Sequence, residues 1–154
     1  MTSYLLSLGI VLAVVIALTA GLQLYRGAVR RRAATPPQGE AIQRQAQSIA
    51  ARIFVDRSIF NGPQARKTNR APADLVLTPE RLLVATHHGR ILELTRGNPG
   101  FARCTGPRRL VIEGQRPMKD GAVQVRVELI LDAAEQWAAE SAKALGSQEA
   151  AQLS

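Results

Sequence analysis

At 154 residues, with roughly the first twenty-five given to an apolar segment, the chain has room for one domain of about 100 residues and none for a second core. Its 20 Lys and Arg outnumber 12 Asp and Glu, and between Ile49 and Leu131 fourteen basic residues stand against seven acidic ones. That sign favours polyanions, whether anionic lipid or nucleic acid, and also serves plain solubility. The single cysteine, Cys104, excludes an internal disulfide framework and fits a reducing compartment.

Tyr4 to Leu24 is an unbroken apolar run without a charged side chain, closed by Arg26, Arg30, Arg31 and Arg32. As a helix it would be about 31 Å long, the thickness of a hydrocarbon core. Tyr4 and Tyr25 suit the two headgroup levels, and the arginines act as a stop. No Lys or Arg precedes the run and no A-x-A site follows, so an uncleaved anchor (1–25) is favoured over a signal peptide. The positive-inside rule then places the remainder in the cytoplasm. Gly9, Ala13, Ala17 and Gly21 form a stripe of small residues at every fourth position, a candidate contact for a homodimer through the anchor.

Residues 26–52 read as an Arg/Pro stem followed by a juxtamembrane helix. Pro36-Pro37 forbids a continuous helix through the stem, so Arg26 to Gly39 is expected to be a spacer. Ile42, Ala46, Ile49 and Ile53 then fall on one face at helical spacing. Phe54 to Phe60, closed by Asn61-Gly62-Pro63, reads as a first strand, and Gln64 to Ala73 as a polar loop holding Arg66, Lys67 and Arg70. Leu75-Val76-Leu77, Leu82 to Thr86 and Ile91 to Leu94 are short strands separated by the turns Thr78-Pro79-Glu80-Arg81 and His87-His88-Gly89. Loops this short make an antiparallel meander.

The Gly- and Pro-rich stretch Arg96 to Pro107 reads as a loop with Phe101 anchored to the core. Leu110 to Ile112 and Val123 to Leu129 are further strands, the second alternating cleanly. The final helix is signed by Asp132 as cap with Glu135 three residues on, and by Gly146 as stop. Ala134, Trp137, Ala138, Ser141 and Leu145 share its inward face. Residues 147–154 form a tail.

The fold class is α+β, mainly β. Leu75-Val76-Leu77-Thr78-Pro79-Glu80-Arg81-Leu82-Leu83-Val84, Gly89-Arg90-Ile91-Leu92-Glu93-Leu94, Arg109-Leu110-Val111-Ile112 and Ala134-Glu135-Gln136-Trp137-Ala138 together resemble a bacterial membrane-anchored pleckstrin-homology-like (PH-like) domain. The resemblance implies a small antiparallel β-barrel over 53–146 closed by a C-terminal helix, with Trp137 structural, acting as a noncatalytic adaptor. The family's phosphoinositide readers carry basic residues on the first two strands and the loop between them, where Arg57, Arg66, Lys67 and Arg70 fall here.

No nucleophile elbow, P-loop or dinucleotide fingerprint occurs. His87-His88 reads as a polar turn pair rather than a metal site, and Cys104 as a free thiol. Phe54, Phe60, Phe101 and Trp137 all read as core, leaving no stacking platform for specific nucleic-acid binding. The expectation is a single-pass protein of the inner (plasma) membrane with a cytoplasmic adaptor or scaffold domain and no cofactor. Its partners would be the membrane it spans and another protein, and Arg66, Lys67 and Arg70 are the candidate contacts to anionic lipid headgroups. The alternative is a small membrane-anchored enzyme with a site around His87, His88 or Cys104.

Overall fold

The computed structural model describes residues 2–56, 66–98, 100–118 and 121–146, with side chains from Leu8 onward and, in the second strand, from Thr68 onward. It opens with one helix, α1 (Thr2–Ala34), that runs through the arginines without a break. Arg26 to Ala34 are therefore helix and not spacer: Arg and Ala are good helix formers, and nothing stops them until Pro36 and Pro37. From Leu8 to Ala34 the helix is long and apolar enough to cross a bilayer, and every side chain from Leu8 to Arg26 is exposed.

Seven strands follow among the described residues: β1 (Arg44–Asp56), β2 (Arg66–Leu77), β3 (Arg81–Thr86), β4 (Gly89–Thr95), β5 (Gly100–Gly106), β6 (Arg109–Met118) and β7 (Gly121–Ile130). A helix, α2 (Ala134–Leu145), is the last described element. The strands form one antiparallel sheet in the order β4-β3-β2-β1-β7-β6-β5, curled into a half-barrel. Its two ends meet where Leu94 of β4 packs on Gly100 of β5 and Gly114 of β6 so closely that a Cβ at either glycine would collide with it. Asn98 stitches the same seam, its amide donating to the Glu93 carbonyl (2.8 Å) and the Gln115 carbonyl (3.1 Å).

Three expected elements are different in the structure. Ile42 to Ile53 is not a helix; from Arg44 onward it is β1, with Ile49, Ala51 and Ile53 turned into the core. A bulge lies between Ala46 and Ile49, where Ser48 takes a positive φ of 54°. The extra residue turns both Ala46 and Ile49 inward, and that three-residue step is what imitates a helix. The strand expected from Phe54 is thus the end of β1, and its remainder, with Phe60 and the Asn61-Gly62-Pro63 turn, lies outside the described residues.

Gln64 to Ala73 is not a loop, since β2 begins at Arg66. Among the described residues its inward side chains there are Ala71 and Ala73, too small to mark a strand in the sequence. Pro72 is tolerated because β3 pairs with β2 only from Asp74 to Leu77, which leaves the earlier part of β2 an edge. Arg96 to Pro107 likewise contains β5, whose Gly100 is required by the close approach of Leu94.

The interior holds Leu75, Leu77, Leu82, Val84, Leu92, Leu94, Leu110, Ile112, Val125, Val127 and Leu129. Burying each such side chain stabilises the fold by about 1.5–3 kcal/mol as an upper estimate. Over one mouth lies α2, burying Ala134, Trp137, Ala138, Ser141 and Leu145 as the sequence indicates, and Ala144 besides. Its N-cap is Ala133 in the left-handed region, with no side-chain cap. Asp132 instead pairs with Arg108 at 2.9 Å on the surface, while Gly146 closes the C-terminus as expected, its N–H reaching the Ala142 and Lys143 carbonyls. Arg44 of β1 fastens α2 from outside: it stacks 5.4 Å from the Trp137 ring and donates to Gln136 at 2.8 Å.

Candidate binding face

The outer surface of the half-barrel has two parts, and the C-terminal end of α1 covers one of them. Ala33 and Ala34 pack on Val76, Leu83 and Ala85, the outward residues of β2 and β3. One turn toward the N-terminus, Arg30 reaches down to the fully buried Asp74, Nε to Oδ1 at 2.8 Å. The same oxygen accepts the Ser48 N–H at 2.8 Å, and Arg30 also donates to the Ser48 hydroxyl at 2.7 Å. The bulge that puts Ser48 at positive φ therefore supplies a donor to the buried carboxylate. Arg90 closes the helix end by donating to the carbonyls of Ala33 and Thr35, both at 3.1 Å, which satisfies acceptors that an α-helix leaves open.

Arg90 belongs to a second charged group in which cations and carboxylates match. Arg81 pairs with Glu40 and Glu93, and Arg90 pairs with Glu93 at 2.7 Å. Burial pushes the Glu93 carboxyl up, but the hydrogen bonds and charges of Arg90 and Arg81 outweigh it and hold the group below its ordinary value. The Thr78 hydroxyl accepts the Arg81 N–H and donates to Glu40, and this closes the Thr78-to-Arg81 turn read in the sequence.

The other part, spanning β2, β1, β7, β6 and β5, is uncovered, and the strand register lays its side chains in rows. One row runs Phe101, Glu113, Arg126, Phe54, Thr68; the next runs Arg103, Val111, Glu128, Arg52, Arg70; the third runs Gly106, Arg109, Ile130, Ala50, Pro72. Among the described residues five arginines, Arg52, Arg70, Arg103, Arg109 and Arg126, share this face with the acids Glu113, Glu128 and Asp56. Arg126 pairs with Glu128 at 2.8 Å and with Glu113 at 3.5 Å, and Arg103 approaches Glu113 at 3.6 Å. Arg52, Arg70 and Arg109 have no ion-pair partner among the described residues. Arg52 and Arg70 are moreover directly opposite across β1 and β2, a like-charge arrangement that costs stability.

Between the Arg52–Arg70 row and the foot of α1 lies an open trough of about 710 Å³. Its floor is small and apolar, with Ala50, Pro72 and Ile130, and Arg52, Arg70 and Arg109 flank it together with Glu128. Ser48 forms the border with α1. The volume is that of a small-ligand site, but the basic walls and shallow shape suit an anion held from one side.

Of the basic triplet expected in a loop, Arg70 is on β2 and in this trough. Arg66 and Lys67 belong to the same strand, and their side chains lie outside the described residues. Arg52 and Arg109 were hidden from a linear reading, because only the pairing of β1 with β2 and β7 brings them beside Arg70. Two aromatics read as core are not: Phe54 is half-buried on the outer face with Arg52 and Arg126 stacked 5.4 and 5.9 Å from its ring, and Phe101 is 36% exposed under Arg103. Phe60 lies outside the described residues. The stripe Gly9, Ala13, Ala17 and Gly21 stands on the exposed length of α1.

His87 and His88 occupy the β3–β4 turn as expected, ring centroids 3.8 Å apart. Burial lowers the His87 pKa first, and the positive charges of His88, Arg26 and Arg30 add to it, which puts this turn beside α1. The Cys104 thiol donates to the Gly106 carbonyl at 3.0 Å and packs against the interior. The His pair thus lies in the β3–β4 turn, and the thiol on β5 against the interior. No family model matches the chain, and none of the curated proteins matches it.

Proposed function

We propose that this protein is a single-pass, membrane-tethered, noncatalytic adaptor whose PH-like domain stands on the cytoplasmic side of a bacterial inner membrane and binds an anionic partner through the uncovered outer face of its sheet. The observation that carries this reading is the charge imbalance there: among the described residues five arginines stand against three acids, and Arg52, Arg70 and Arg109 line one trough without an ion-pair partner. A guanidinium fork is suited to carboxylate and phosphate, and the one acid lining the trough among the described residues, Glu128, is engaged by Arg126 at 2.8 Å. The PH-like reading draws support from a curled seven-stranded antiparallel sheet with a C-terminal helix over one mouth. The alternative, a small membrane-anchored enzyme with a site around His87, His88 or Cys104, has less support, since the thiol donates to the Gly106 carbonyl.

The test is the retention of detergent-solubilised full chain on an immobilised polyanion. Wild type should elute at higher salt than a variant with Arg52, Arg70 and Arg109 replaced by Gln, because each neutralised contact releases fewer ions. Equal elution of the two would remove the trough from the reading. A reporter fused after Ser154 should be active only as a cytoplasmic fusion, and periplasmic activity would overturn the stated side.

A further inference from the structure

The outer face of the sheet already seats one helix long and apolar enough to cross a bilayer, and the trough beside it has the same parts. α1 lies over β2, β3 and β4. Its small Ala33 and Ala34 rest on Val76, Leu83 and Ala85, and its cation Arg30 is received by an acid of the sheet, Asp74. In the trough the signs are exchanged. Ala50, Pro72 and Ile130 make a floor of the same small apolar kind, and here the sheet supplies the cations, Arg52, Arg70 and Arg109.

Direction and spacing also suit a helix. Passing along α1 from Ala34 to Arg30, toward its apolar run, passes along β2 from Val76 to Asp74, because those are the residues each touches. In the same sense β2 continues to Pro72 and Arg70. The strands under the trough therefore run along α1, and the row of Arg52 and Arg70 is the end nearer the bilayer. The trough centres on β1, two places from β3 in the sheet order, or about 9.6 Å along the sheet. Packed helices keep their axes about 8–10 Å apart, so one helix has room beside α1. Residues at i and i+4 of such a helix stand about 6 Å apart, and the Arg52–Arg70 row and the Arg109 row are about 6.6 Å apart along the strands.

Resting on the proposed function, and naming its partner, we infer that the trough seats the acidic juxtamembrane helix of a second, different membrane protein, which leaves the bilayer beside α1 and sets its carboxylates against Arg52, Arg70 and Arg109. Two carboxylates one turn apart on one helix face reach both rows and form charge-assisted hydrogen bonds with the guanidinium groups. Glu128, the acid in the lining, is engaged by Arg126 at 2.8 Å and leaves the three arginines to the incoming acids. A carboxylate between Arg52 and Arg70 also ends the repulsion between those directly opposed charges. A second copy of this chain does not fit, because its own segment between Tyr25 and Gly39 carries four arginines and no acid. A soluble acidic peptide has the right charge, but a helix in the same bilayer is held at a far higher effective concentration beside α1.

The probe is a synthetic peptide with a Leu/Ala membrane span and an Ala-rich cytoplasmic helix carrying a pair of Glu at i and i+4, labelled with an acceptor dye. The full chain, with Cys104→Ser and a donor dye on Ala139→Cys, which is exposed on α2 and off the face, shares phosphatidylcholine vesicles with it. Energy transfer should saturate at about tenfold lower peptide density than with Gln in place of both Glu. That gain should vanish when Arg52, Arg70 and Arg109 become Gln and persist when all three become Lys. It should vanish too when the Glu pair is moved to i and i+2, which point to different sides of a helix. The Glu helix without its span should give no transfer at equal total concentration.

Equal saturation by the Glu and Gln peptides, or by the two spacings of Glu, overturns the helix assignment, and equal transfer without the span overturns the membrane partner. Retention of the full chain on the polyanion then decides the proposed function separately. If retention still depends on the three arginines, the face binds an anion of another class, nucleic acid or lipid, and if it does not, both readings fall. Circular dichroism melts of each variant exclude unfolding as the cause of any loss.

Discussion

The two halves of the sheet's outer surface spend their charges differently. Under α1, each cation has its counterpart: Arg30 with Asp74, Arg81 with Glu40 and Glu93, Arg90 with Glu93 and two carbonyls. Beyond the Ser48 bulge, on the half formed by β1, β7, β6 and β5 with the early part of β2, the arginines exceed the acids among the described residues, and three of them have no ion-pair partner there. A matched set inside a contact satisfies buried charge, where an unmatched one would be costly. An unmatched set on an open face costs little while water solvates it, and is available to a ligand. The difference teaches that net charge alone, which is positive over the whole domain, says less than where the acids are placed.

The comparison needs a baseline from the interior, and Trp137 supplies it. It is 3% exposed and closes the mouth of the half-barrel, so Trp137→Ala should cost on the order of 3–5 kcal/mol in chemical denaturation of the full chain in detergent. It should leave polyanion affinity of the still-folded fraction unchanged. A change in affinity at unchanged stability would move Trp137 out of the core and into the binding surface.

On the covered half, Asp74→Ala leaves Arg30 without its partner and Ser48 N–H without its acceptor. Arg30 is only 14% exposed, yet it sits near a helix end and can swing to water, so the expected cost is about 3 kcal/mol, the low end for a broken buried pair. The loss should be local. Hydrogen exchange should rise in Arg26 to Ala34 and at the β3–β4 turn while β6 and β7 keep their protection, and uniform loss of protection would show that the latch is part of the global fold.

Titration probes the covered half more gently. The Glu93 pKa lies below its ordinary 4.5 in the fold, so the unfolded chain takes up that proton first as pH falls. The stability it contributes is present above 4.5 and lost as pH drops through the lower folded value. The His87 pKa lies below its ordinary 6.5, and the sign is the same: unfolded His87 protonates first, so stability is full above 6.5 and erodes below it. Melting temperature should thus decline in two shallow steps on acidification. Glu93→Gln should remove the lower step and His87→Asn the upper, and an unaltered profile in either variant would strike that group from the account.

How much of this was legible in the sequence depends on what each segment packs against. The β3–β4 hairpin and α2 were readable because their apolar positions are large and their turns carry Thr78, Gly89 and Gly146, residues with a local reason to be there. β1 was misread as a helix because the bulge at Ser48 interrupts its alternation at the very place where Ile49 begins the buried face. The early part of β2 and β5 read as loops because they fill the core with Ala71, Ala73 and Ala102, and the space they leave is occupied by Leu side chains of other strands. The binding face was out of reach for a further reason. Arg52, Arg70 and Arg109 are separated by eighteen and thirty-nine positions in the chain, and only the order β2-β1-β7-β6 makes them neighbours.

The smallest expected effect is also the sharpest test of the difference between the halves. If Arg52, Arg70 and Arg109 served the fold, truncating them would cost stability as Asp74→Ala does. They are exposed and unpaired, so each change to Ala should fall within about 0.5 kcal/mol of wild type. For Arg70 the sign should be favourable, because removing it relieves the like charge directly opposite Arg52. Arg52 carries an opposing contribution from its stack on Phe54 at 5.4 Å, worth about 0.5–1 kcal/mol at an exposed site. Arg52→Ala should therefore come out neutral or slightly destabilising, and the double variant with Arg70→Ala should be less stable than the two single changes add up to, since the repulsion can be removed only once. A double-mutant cycle in low salt measures that coupling. It should fade at high salt, where the repulsion is screened. A coupling of zero at low salt would mean that the two guanidiniums already diverge into water, and the trough would then have no standing repulsion for an anion to relieve.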